Sequence, residues 1–270
     1  MSKDIRVLII EDDPYARDLM ALLLARDWRT RVVGEVANQA DVRRFFAQPE
    51  QGVEIIIIDT EMPWDQGWLP EILDSVVSSS PTSRVLFTGT RGDQDILERA
   101  LRNGWSCGYV LKHEILYALA TAVVVAARGR WVITPAIQRI AAVRRIALPQ
   151  ETTILDGTRN VTHFSRRESE VARLGILFNL AQRDLADELV LSVEWISKIT
   201  RAAYEKLGLR AILSGEASLD AYLEDENIIE RYRTAIRKTG TRPDLSLRKA
   251  PWLATLAFHL LTAPETSLPE

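Results

Sequence analysis

Cysteine is almost absent from this sequence of 270 residues, in which Cys107 is the only one. A single thiol excludes an intrachain disulfide and any zinc site built from several cysteines, and it suits a reducing cytosol. We therefore expect a cytoplasmic protein. The apolar runs are short, as in ALATAVVVAA, so the sequence predicts no membrane span. The acids that follow the first apolar run argue against a secretory leader.

An excess of positive charge is also missing, because 34 basic residues face 37 acidic ones and the net charge is −3. No basic field over the whole chain therefore indicates a nucleic-acid partner, and any such contact requires a local patch. Repeats of 20–50 residues and low-complexity tracts are lacking as well. Hydrophobic residues make up 47% of the chain, which at this length is enough for two globular domains.

Five apolar, β-branched segments alternate with helical segments through residues 1–127. Strands are predicted at IRVLII, TRVVGEV, VEIIIIDT, SRVLFTG and CGYVLK. These runs are apolar on both faces, which indicates a parallel sheet covered by helices. We therefore predict an α/β fold with a five-stranded, parallel, doubly wound (flavodoxin-like) sheet. Ligands of such sheets bind at the carboxyl ends of the strands.

Acidic and polar side chains stand at these predicted strand ends. In chain order they are Glu11, Asp12, Asp59, Thr88 and Lys112. Converging carboxylates repel one another unless a cation lies between them, and oxygen ligands of this kind suit Mg²⁺. A neighbouring hydroxyl and ammonium group suit an incoming phosphoryl group. The alternative, an acid that only caps the following helix, is the better interpretation of Asp13.

Residues 5–127 resemble the receiver domain of two-component response regulators. The resemblance rests on IIEDDP, the DTEMPWDQG loop, FTGT and GYVLK. It implies that Asp59 accepts a phosphoryl group from a sensor histidine kinase or another phosphodonor. It also implies that Mg²⁺ is held by Glu11, Asp12 and Asp59, together with the backbone carbonyl of Glu61.

The same resemblance assigns the switch residues. Thr88 would hydrogen-bond the phosphoryl group, Lys112 would pair with it, and Tyr109 matches the aromatic switch position. Phosphorylation adds a charge of about −1.5 to −2, which draws Thr88 and Lys112 inward and leaves space for the Tyr109 ring. That movement repacks the face formed by the fourth helix, fifth strand and fifth helix.

Residues 128–161 are predicted to be a basic linker with one helix. Pro135 suits a first helical turn, and Asp156 with Gly157 gives a hairpin signal that competes with an irregular loop. Arginine dominates this region and its border, at Arg128, Arg130, Arg139, Arg144, Arg145, Arg159, Arg166 and Arg167. Three interpretations stay open: a solvated linker, a basic surface beside a DNA site, and a contact with the acidic edge of the sheet.

Residues 162–212 are predicted to form a helix-turn-helix. Ser165 and Glu168 have the spacing of a capping box, and Ser192 precedes a helix that Gly208 ends. That helix directs one face to the core, at Ile196, Ile199, Ala203 and Leu207. Its outward face carries the candidate DNA contacts, which are Ser197, Lys198 and Arg201.

This segment resembles the LuxR/FixJ-type (NarL-like) output domain, through FSRRESEV, RDLADELVLS and EKLGL. The resemblance implies a transcription regulator that binds DNA. The sequence departs from the family by one extra residue within LGILFNLAQ, and by Ser197 and Ile199 where Lys and His are usual. These departures and the nearly balanced charge support an alternative, a signalling adaptor whose helical module binds a protein.

Residues 213–270 are predicted to be a helical extension. EASLDAYLEDENIIERYRTAIRKTG indicates one long amphipathic helix, and APWLATLAFHLLTAP a helix that is apolar nearly all round. Such a helix must be buried, either on its own chain or against a second copy in a homodimer. His259 lacks a Cys or carboxylate companion and is predicted to be a core residue. No nucleophile–base pair or cofactor loop indicates an enzyme acting on an external substrate.

Overall fold

The computed structural model of the protein describes residues 4–48, 52–62, 80–157, 163–223, 225–239 and 251–267, with Leu73, Val76 and Ser78. The chain divides into two compact units, Met1–Gly157 with Pro264–Glu270, and Thr158–Ala263. It therefore passes between the units twice, after Gly157 and after Ala263. In the described part of the chain, no helix has the length and apolar character needed to cross a membrane.

The first unit is built on one sheet, and its first five strands are those that the sequence predicts. They are β1 (Ile5–Ile10), β2 (Thr30–Val36), β3 (Ile55–Asp59), β4 (Arg84–Gly89) and β5 (Ser106–Leu111). All five run parallel, in the order β2-β1-β3-β4-β5. The four residues from Val7 to Ile10 and those of β3 are buried on both faces, which confirms the predicted parallel sheet covered by helices.

Helices follow these strands, and side-chain caps mark where they begin. The helices are α1 (Pro14–Arg26), α2 (Gln39–Phe46), α3 (Gln94–Arg102), α4 (Lys112–Ile115) and α5 (Leu119–Ala127). Asp13, Asn38 and Asp93 each accept a backbone N–H of the first turn, which starts α1, α2 and α3. The helix predicted at LPEILDSVVSSS lies outside the described residues except for the three isolated positions above and Ser80.

The sheet continues beyond β5, so the predicted number of five strands is too low. Three further strands extend it, which are β6 (Trp131–Ile133), β7 (Thr152–Asp156) and β8 (Glu265–Ser267). β6 and β7 continue the parallel order, and β8 pairs antiparallel with β7. β6 and β8 have three residues each, which is too short for a periodic signal in the sequence.

Residues 128–157, which we expected to be a linker, belong to the first unit. The helix that Pro135 predicts is α6 (Pro135–Arg144), and it connects β6 to β7. β6 can approach β5 because Gly108 has no side chain: a Cβ there would lie 2.1 Å from the carbonyl oxygen of Val132. β7 lies between β6 and β8, and the second arm of the hairpin alternative lies outside the described residues.

The second unit is helical where it is described. Its helices are α7 (Arg166–Ala172), α8 (Gln182–Leu189), α9 (Val193–Lys206), α10 (Leu209–Ser214), α11 (Glu226–Thr239) and α12 (Pro251–Thr262). The predicted capping box is confirmed, because Ser165 and Glu168 each accept the other's backbone N–H. Ser192 caps α9 by accepting from the Trp195 N–H, and Gly208 has the predicted left-handed conformation, φ 76°.

A π-helical turn, Arg173–Leu177, follows α7 directly. It is closed by a hydrogen bond of 3.3 Å from the Phe178 N–H to the Arg173 carbonyl, five residues earlier. Insertion of one residue into a helix produces a turn of this kind. The turn therefore accommodates one residue more than an α-helical turn, and the two helices of the helix-turn-helix form after it.

The extension differs from its prediction in one helix. A single long helix was expected from residue 216, but a 3₁₀ turn at Leu219–Ala221 comes first, and α11 begins separately. The Asp225 side chain accepts from the N–H groups of Asn227 and Ile228, which starts the new helix.

The last helix, α12, is buried on its own chain, which decides between the two alternatives for its apolar surface. It packs against the π turn, α10 and α11 of the second unit. The Tyr232 hydroxyl and Nδ1 of His259 lie 2.8 Å apart in a buried hydrogen bond. His259 is only 3% exposed, so the prediction that it is a core residue is confirmed.

Replacing Ile137 by Ala tests whether residues 128–157 are part of the first core. Ile137 is 0% exposed, so Ile137→Ala leaves a cavity, and we expect it to lower the free energy of unfolding by about 2–5 kcal/mol. Val143→Ala is the matched control on α6, because that side chain is 80% exposed and its loss should change stability by less than about 0.5 kcal/mol. Urea unfolding of the full chain measures both, and equal stabilities of the two variants would contradict the assignment.

Candidate functional site

The carboxyl ends of β1, β3 and β5 bring an ammonium group between two buried carboxylates. Glu11 follows β1 and is 1% exposed, and Asp59 ends β3 and is 3% exposed. Nζ of Lys112 lies 2.7 Å from Oε2 of Glu11 and 3.1 Å from Oδ1 of Asp59. One positive charge therefore faces two negative charges in a place that water hardly reaches. Leaving the remaining negative charge without a partner costs free energy, because a buried charge has lost its hydration.

A third carboxylate makes the group suitable for a divalent cation. Glu11, Asp12 and Asp59 each offer an oxygen within 4.8 Å of the other two. Oε2 of Glu11 and Oδ1 of Asp59 are buried and, in the described part of the chain, have no hydrogen bond of good geometry besides the ion pairs. The Glu61 backbone lies close enough to the Asp59 carboxylate to oppose the rise in its pKa that burial causes, so this backbone lies at the site too. This donor set fits Mg²⁺, which prefers oxygen ligands.

Burial perturbs the titration of all three charged groups. It raises the pKa of Asp59, and the charge and hydrogen bond of Lys112 only partly oppose it. The pKa of Glu11 is raised by burial too, and the negative charge of Asp59 adds to the effect. Burial lowers the pKa of Lys112, but the hydrogen bond to Glu11 and the charge of Asp59 outweigh it, so this pKa is raised. The site therefore favours whatever neutralises its carboxylates.

The two predicted switch residues next to this group are buried as well. Thr88 is 1% exposed and donates through Oγ1 to the Ile58 carbonyl at 3.3 Å. The Tyr109 hydroxyl donates to the Arg91 carbonyl at 2.9 Å and accepts from the Asp93 N–H at 3.2 Å. Burial raises the pKa of Tyr109. The Tyr109 ring is thus already turned inward, and its hydroxyl is hydrogen-bonded to the loop between β4 and α3.

Thr90 is a residue of the site that the sequence analysis missed. Its N–H and hydroxyl donate to the Glu61 carboxylate at 2.9 and 2.7 Å, which joins the loop after β3 to the loop after β4. Burial tends to raise the pKa of Glu61, but these hydrogen bonds outweigh it and lower the pKa. The available signal was the second hydroxyl residue of FTGT. Loop-to-loop pairing of this kind depends on the sheet order and leaves no spacing pattern in the sequence.

In the second unit, α8 and α9 form the predicted helix-turn-helix. Ile196, Ala203 and Leu207 are buried, as predicted, and Ile199 packs partly buried against the same core. The turn residue Val190 has φ 52°, a left-handed conformation that is costly for a β-branched side chain. Val190 is also 88% exposed, so no packing explains its choice at this position.

The three residues predicted to contact DNA have different surroundings. Lys198 is exposed, and its Nζ lies 4.7 Å from the ring centroid of Trp195 in a cation–π contact. Ser197 and Arg201 line a cavity of about 790 Å³ in the second unit, which Leu253 of α12 also lines. The extension therefore borders the flank of α9 that carries Ser197 and Arg201.

Many basic side chains of this unit are engaged in ion pairs. The pairs are Arg166 and Arg167 with Glu170, Lys206 with Glu168, Arg210 with Glu205, Arg233 with Asp220 and Glu230, and Arg237 with Glu230. Within the described residues of the helix-turn-helix region, no ion pair engages Arg173, Arg183, Lys198 or Arg201. These four are the cations available to an anionic partner.

Residues 7–123 match the family described as the response regulator receiver domain. The matched segment contains the strand-end group around Asp59, together with Thr88, Tyr109 and Lys112. The match over residues 7–123 therefore confirms the receiver-domain resemblance of the first half of the chain.

Relatives with the same domain are similar over different lengths. SgaR of Hyphomicrobium methylovorum, a probable transcriptional regulatory protein, is 33% identical over 131 residues, 48% of this chain and 59% of SgaR. This chain thus matches less than two thirds of the length of SgaR. The probable transcriptional regulatory protein NarL of Mycobacterium tuberculosis is 25% identical over 224 residues, 82% of this chain and 96% of NarL.

Solved structures are similar at lower identity. One of them is RcsB from Salmonella enterica serovar Typhimurium, bound to a promoter in the presence of a phosphomimetic beryllofluoride. It is 21% identical to this chain, and the match covers 76% of this chain and 93% of the RcsB chain with a TM-score of 0.45. The response regulator ChrA of a haem-sensing two-component system is 25% identical with a TM-score of 0.40. Both scores are too low to establish a common arrangement of the whole chains, and the fold rests on the sheet described above.

The raised pKa of Asp59 predicts how its loss changes stability with pH. A carboxyl with a raised pKa in the folded state contributes stability below its unfolded pKa, about 4, and loses it as the pH rises through the folded value. Without divalent cations, we therefore expect Asp59→Asn to melt at a higher temperature than wild type at pH 7–8, with a difference that shrinks towards pH 4. Lys112 keeps Glu11 as a partner in this variant.

Thermal melts of the full chain in a chelating buffer measure this difference, and Asp12→Asn is the control. Asp12 is exposed, so its neutralisation relieves less desolvation and should raise the melting temperature less. A lower melting temperature for Asp59→Asn than for wild type at pH 7 would contradict the account of the site.

Proposed function

We propose that the protein is a response regulator of a two-component system, phosphorylated on Asp59, that regulates transcription by binding DNA through its helix-turn-helix. The observation that carries the proposal is the buried Asp59 carboxylate, 3.1 Å from the Lys112 ammonium, at the edge of a receiver domain. The phosphodonor is a sensor histidine kinase or a small phosphorylated molecule. We place this activity in the cytoplasm, with no role at a membrane.

The residues around Asp59 have complementary parts in the proposed transfer. A carboxylate oxygen of Asp59 attacks phosphorus, the bond from phosphorus to the donor breaks, and the donor leaves with the electron pair. Lys112 pairs with the phosphoryl oxygens, and Thr88 exchanges its bond to the Ile58 carbonyl for one to the phosphoryl group. Tyr109 is hydrogen-bonded to the loop between β4 and α3, which follows the strand that carries Thr88.

Mg²⁺ is the cofactor that we propose for this site. Glu11, Asp12, Asp59 and the backbone carbonyl of Glu61 would hold it. Support comes from the three carboxylates within 4.8 Å and from two buried oxygens, Oε2 of Glu11 and Oδ1 of Asp59, whose one partner among the described residues is the Lys112 ammonium. When bound, the ion offsets the negative charge shared by carboxylates and phosphoryl oxygens.

The functional division that we propose is a receiver domain at residues 1–127, a connecting segment at 128–161, an output module at 162–212 and an extension at 213–270. Residues 128–157 of the connecting segment belong to the same compact unit as the receiver domain. We propose no enzyme activity on an external substrate. The case for a homodimer through the extension loses its main support, because α12 is buried in its own unit.

DNA binding is supported by the geometry of α9 and by the relatives. The exposed Lys198 and Arg201 lie on one face of a capped helix that follows a turn, which is how recognition helices present their side chains to the major groove. SgaR and NarL are both described as probable transcriptional regulatory proteins. Ion pairs leave four cations unpaired among the described residues of the helix-turn-helix region, so the salt dependence of binding should be shallow.

The second candidate is an adaptor whose output module binds a protein. The observation in its favour is an exposed apolar cluster at the start of α9: Val190 is 88% exposed, Val193 42% and Trp195 47%. Exposed Trp side chains commonly anchor protein interfaces. On this interpretation the ion pairs of Arg166, Arg167 and Arg210 have a purely structural role.

Asp59→Asn is expected to abolish labelling by radioactive acetyl phosphate in the presence of Mg²⁺, because the amide cannot act as the attacking carboxylate. Asp13→Asn is the control, since Asp13 is exposed and accepts N–H groups at the start of α1. It should be labelled like wild type. Continued labelling of Asp59→Asn would show that the acceptor is another residue.

The double variant Lys198→Ala/Arg201→Ala distinguishes DNA from a protein partner. If these cations contact two phosphates, the slope of log K against log salt should fall by about 1.8 and affinity should drop at every salt concentration. Arg210→Ala is the control, because Arg210 is paired with Glu205 at 2.9 Å. Fluorescence anisotropy with genomic DNA fragments measures both. Unchanged affinity and slope in the double variant would favour the adaptor.

A further inference from the structure

The edge of β5 is covered by the chain itself. β6 pairs with β5 through Gly108 and Tyr109, and α6 lies over α3 and the loop before it. Ile137 and Ile140 of α6 contact Gly92 so closely that a Cβ on Gly92 would lie 2.3 Å from the Ile140 side chain. The face that the receiver resemblance predicts to repack on phosphorylation, that of α3, β5 and the helices after β5, is therefore in contact with the chain's own β6, α6 and β7.

The short helix α4 (Lys112–Ile115) connects this added layer to the site around Asp59. Its first residue is Lys112, the partner of Asp59 and Glu11. Its third residue is Glu114, whose carboxylate accepts from the Ala136 N–H at 2.9 and 3.1 Å and pairs with Arg139 at 3.1 Å. Glu114 therefore caps the start of α6, as acidic side chains do at helix N-termini.

Glu114 is needed as a cap because the residue at the cap position is used elsewhere. Thr134 precedes α6, but its Oγ1 accepts from the Leu111 N–H at 3.1 Å, and Thr134 is 0% exposed. The two residues that bind the start of α6 therefore lie on either side of Lys112 in the sequence. Leu111 is the residue before it, and Glu114 lies two residues after it. The start of α6 is thus held on both sides of the lysine that contacts Asp59.

The backbone of α4 also binds Gly157, the residue at which the chain first leaves the first unit. The Gly157 N–H donates to the Glu114 carbonyl at 3.0 Å. A Cβ on Gly157 would lie 2.1 Å from the carbonyl oxygen of Ile115, so only glycine fits there. After Gly157 the chain enters the second unit. Asp59 contacts Lys112, Lys112 and Glu114 belong to the same short helix, and Glu114 contacts Gly157. These links lead from the carboxylate group to the point where the chain leaves the first unit.

Backbone strain marks the end of the same helix. Leu116, which follows Ile115, has φ 41° and ψ −113°, outside the conformations that leucine ordinarily adopts. Such strain costs free energy and persists only where the surroundings enforce it, often in segments that switch between two arrangements. The strained residue therefore lies directly after the helix that carries Lys112 and Glu114.

We propose that α4 is the output joint of the receiver domain, which converts the charge change at Asp59 into a movement of α6 and of the chain at Gly157. The proposal rests on the proposed phosphorylation of Asp59. A phosphoryl group draws Lys112 away from Glu11, and α4 follows because Lys112 is its first residue. When Glu114 moves, its carboxylate displaces the Ala136 N–H at the start of α6, and its backbone carbonyl displaces the Gly157 N–H. The signal therefore stays within one chain.

Gly157→Ala tests the joint, with Gly104→Ala as the matched control. A Cβ at Gly157 meets the Ile115 carbonyl, whereas a Cβ at Gly104 meets nothing within 4 Å. Phosphorylation of wild type should change DNA affinity by about 5- to 150-fold, the usual size of such coupling. Gly104→Ala should keep that change. Gly157→Ala should accept phosphate like wild type but change its DNA affinity by less than about 2-fold on phosphorylation.

A full affinity change in Gly157→Ala would overturn the joint while leaving the proposed function standing.

Amide hydrogen exchange of the wild-type protein, with and without beryllofluoride and Mg²⁺, tests the joint separately and needs no variant that might misfold. The Ala136 and Gly157 amides should change their exchange rates several-fold, while the Ile5 amide, bound to the Arg29 carbonyl on β2's side of the sheet, should not. If beryllofluoride changes exchange near Asp59 but not at Ala136 and Gly157, the joint is wrong. If wild-type DNA affinity never responds to phosphorylation, phosphorylation control of DNA binding fails, and the exchange data still decide the joint.

Discussion

The contact on which the rest depends is that of the Lys112 ammonium with two buried carboxylates, Glu11 at 2.7 Å and Asp59 at 3.1 Å. Two negative charges and one positive charge in a buried place leave the site short of positive charge. Burial raises the pKa of both carboxyls, and Lys112 offsets that effect only in part. A divalent cation can supply the missing charge, and a phosphoryl group on Asp59 would upset the balance again. The elements that hold Lys112 therefore respond first to any change at Asp59.

The strand-end site could be predicted from the sequence because each of its residues ends or follows a strand with a strong apolar signal. Glu11, Asp59 and Lys112 lie where those strand ends predict, and parallel topology brings them together. The layer from β6 to β7 could not be predicted, because β6 has only three residues and its pairing depends on the absence of a side chain at Gly108. A glycine inside a strand indicates that another part of the protein or a ligand approaches the backbone closely, but it does not show which one.

In the second unit, caps were the reliable signal and long periodicity was not. Ser165 with Glu168, and Ser192, start helices where the sequence predicts them, since capping needs only neighbouring residues. The predicted long helix of the extension is broken because Asp225 caps a new start, although the apolar stripe continues on both sides. The surroundings of Arg201 depend on α12, some fifty residues further along the chain, and no local pattern encodes them.

Mapping of DNA-binding sites across the genome of the host cell, for wild type and Asp59→Asn side by side, tests the central claim most directly. The claim is that the charge state of Asp59 controls where the second unit binds. We expect discrete sites for wild type, with an occupancy that changes under conditions that activate the phosphodonor, and no such change for Asp59→Asn. Equal responses of the two proteins, or no discrete sites for either, would contradict the account.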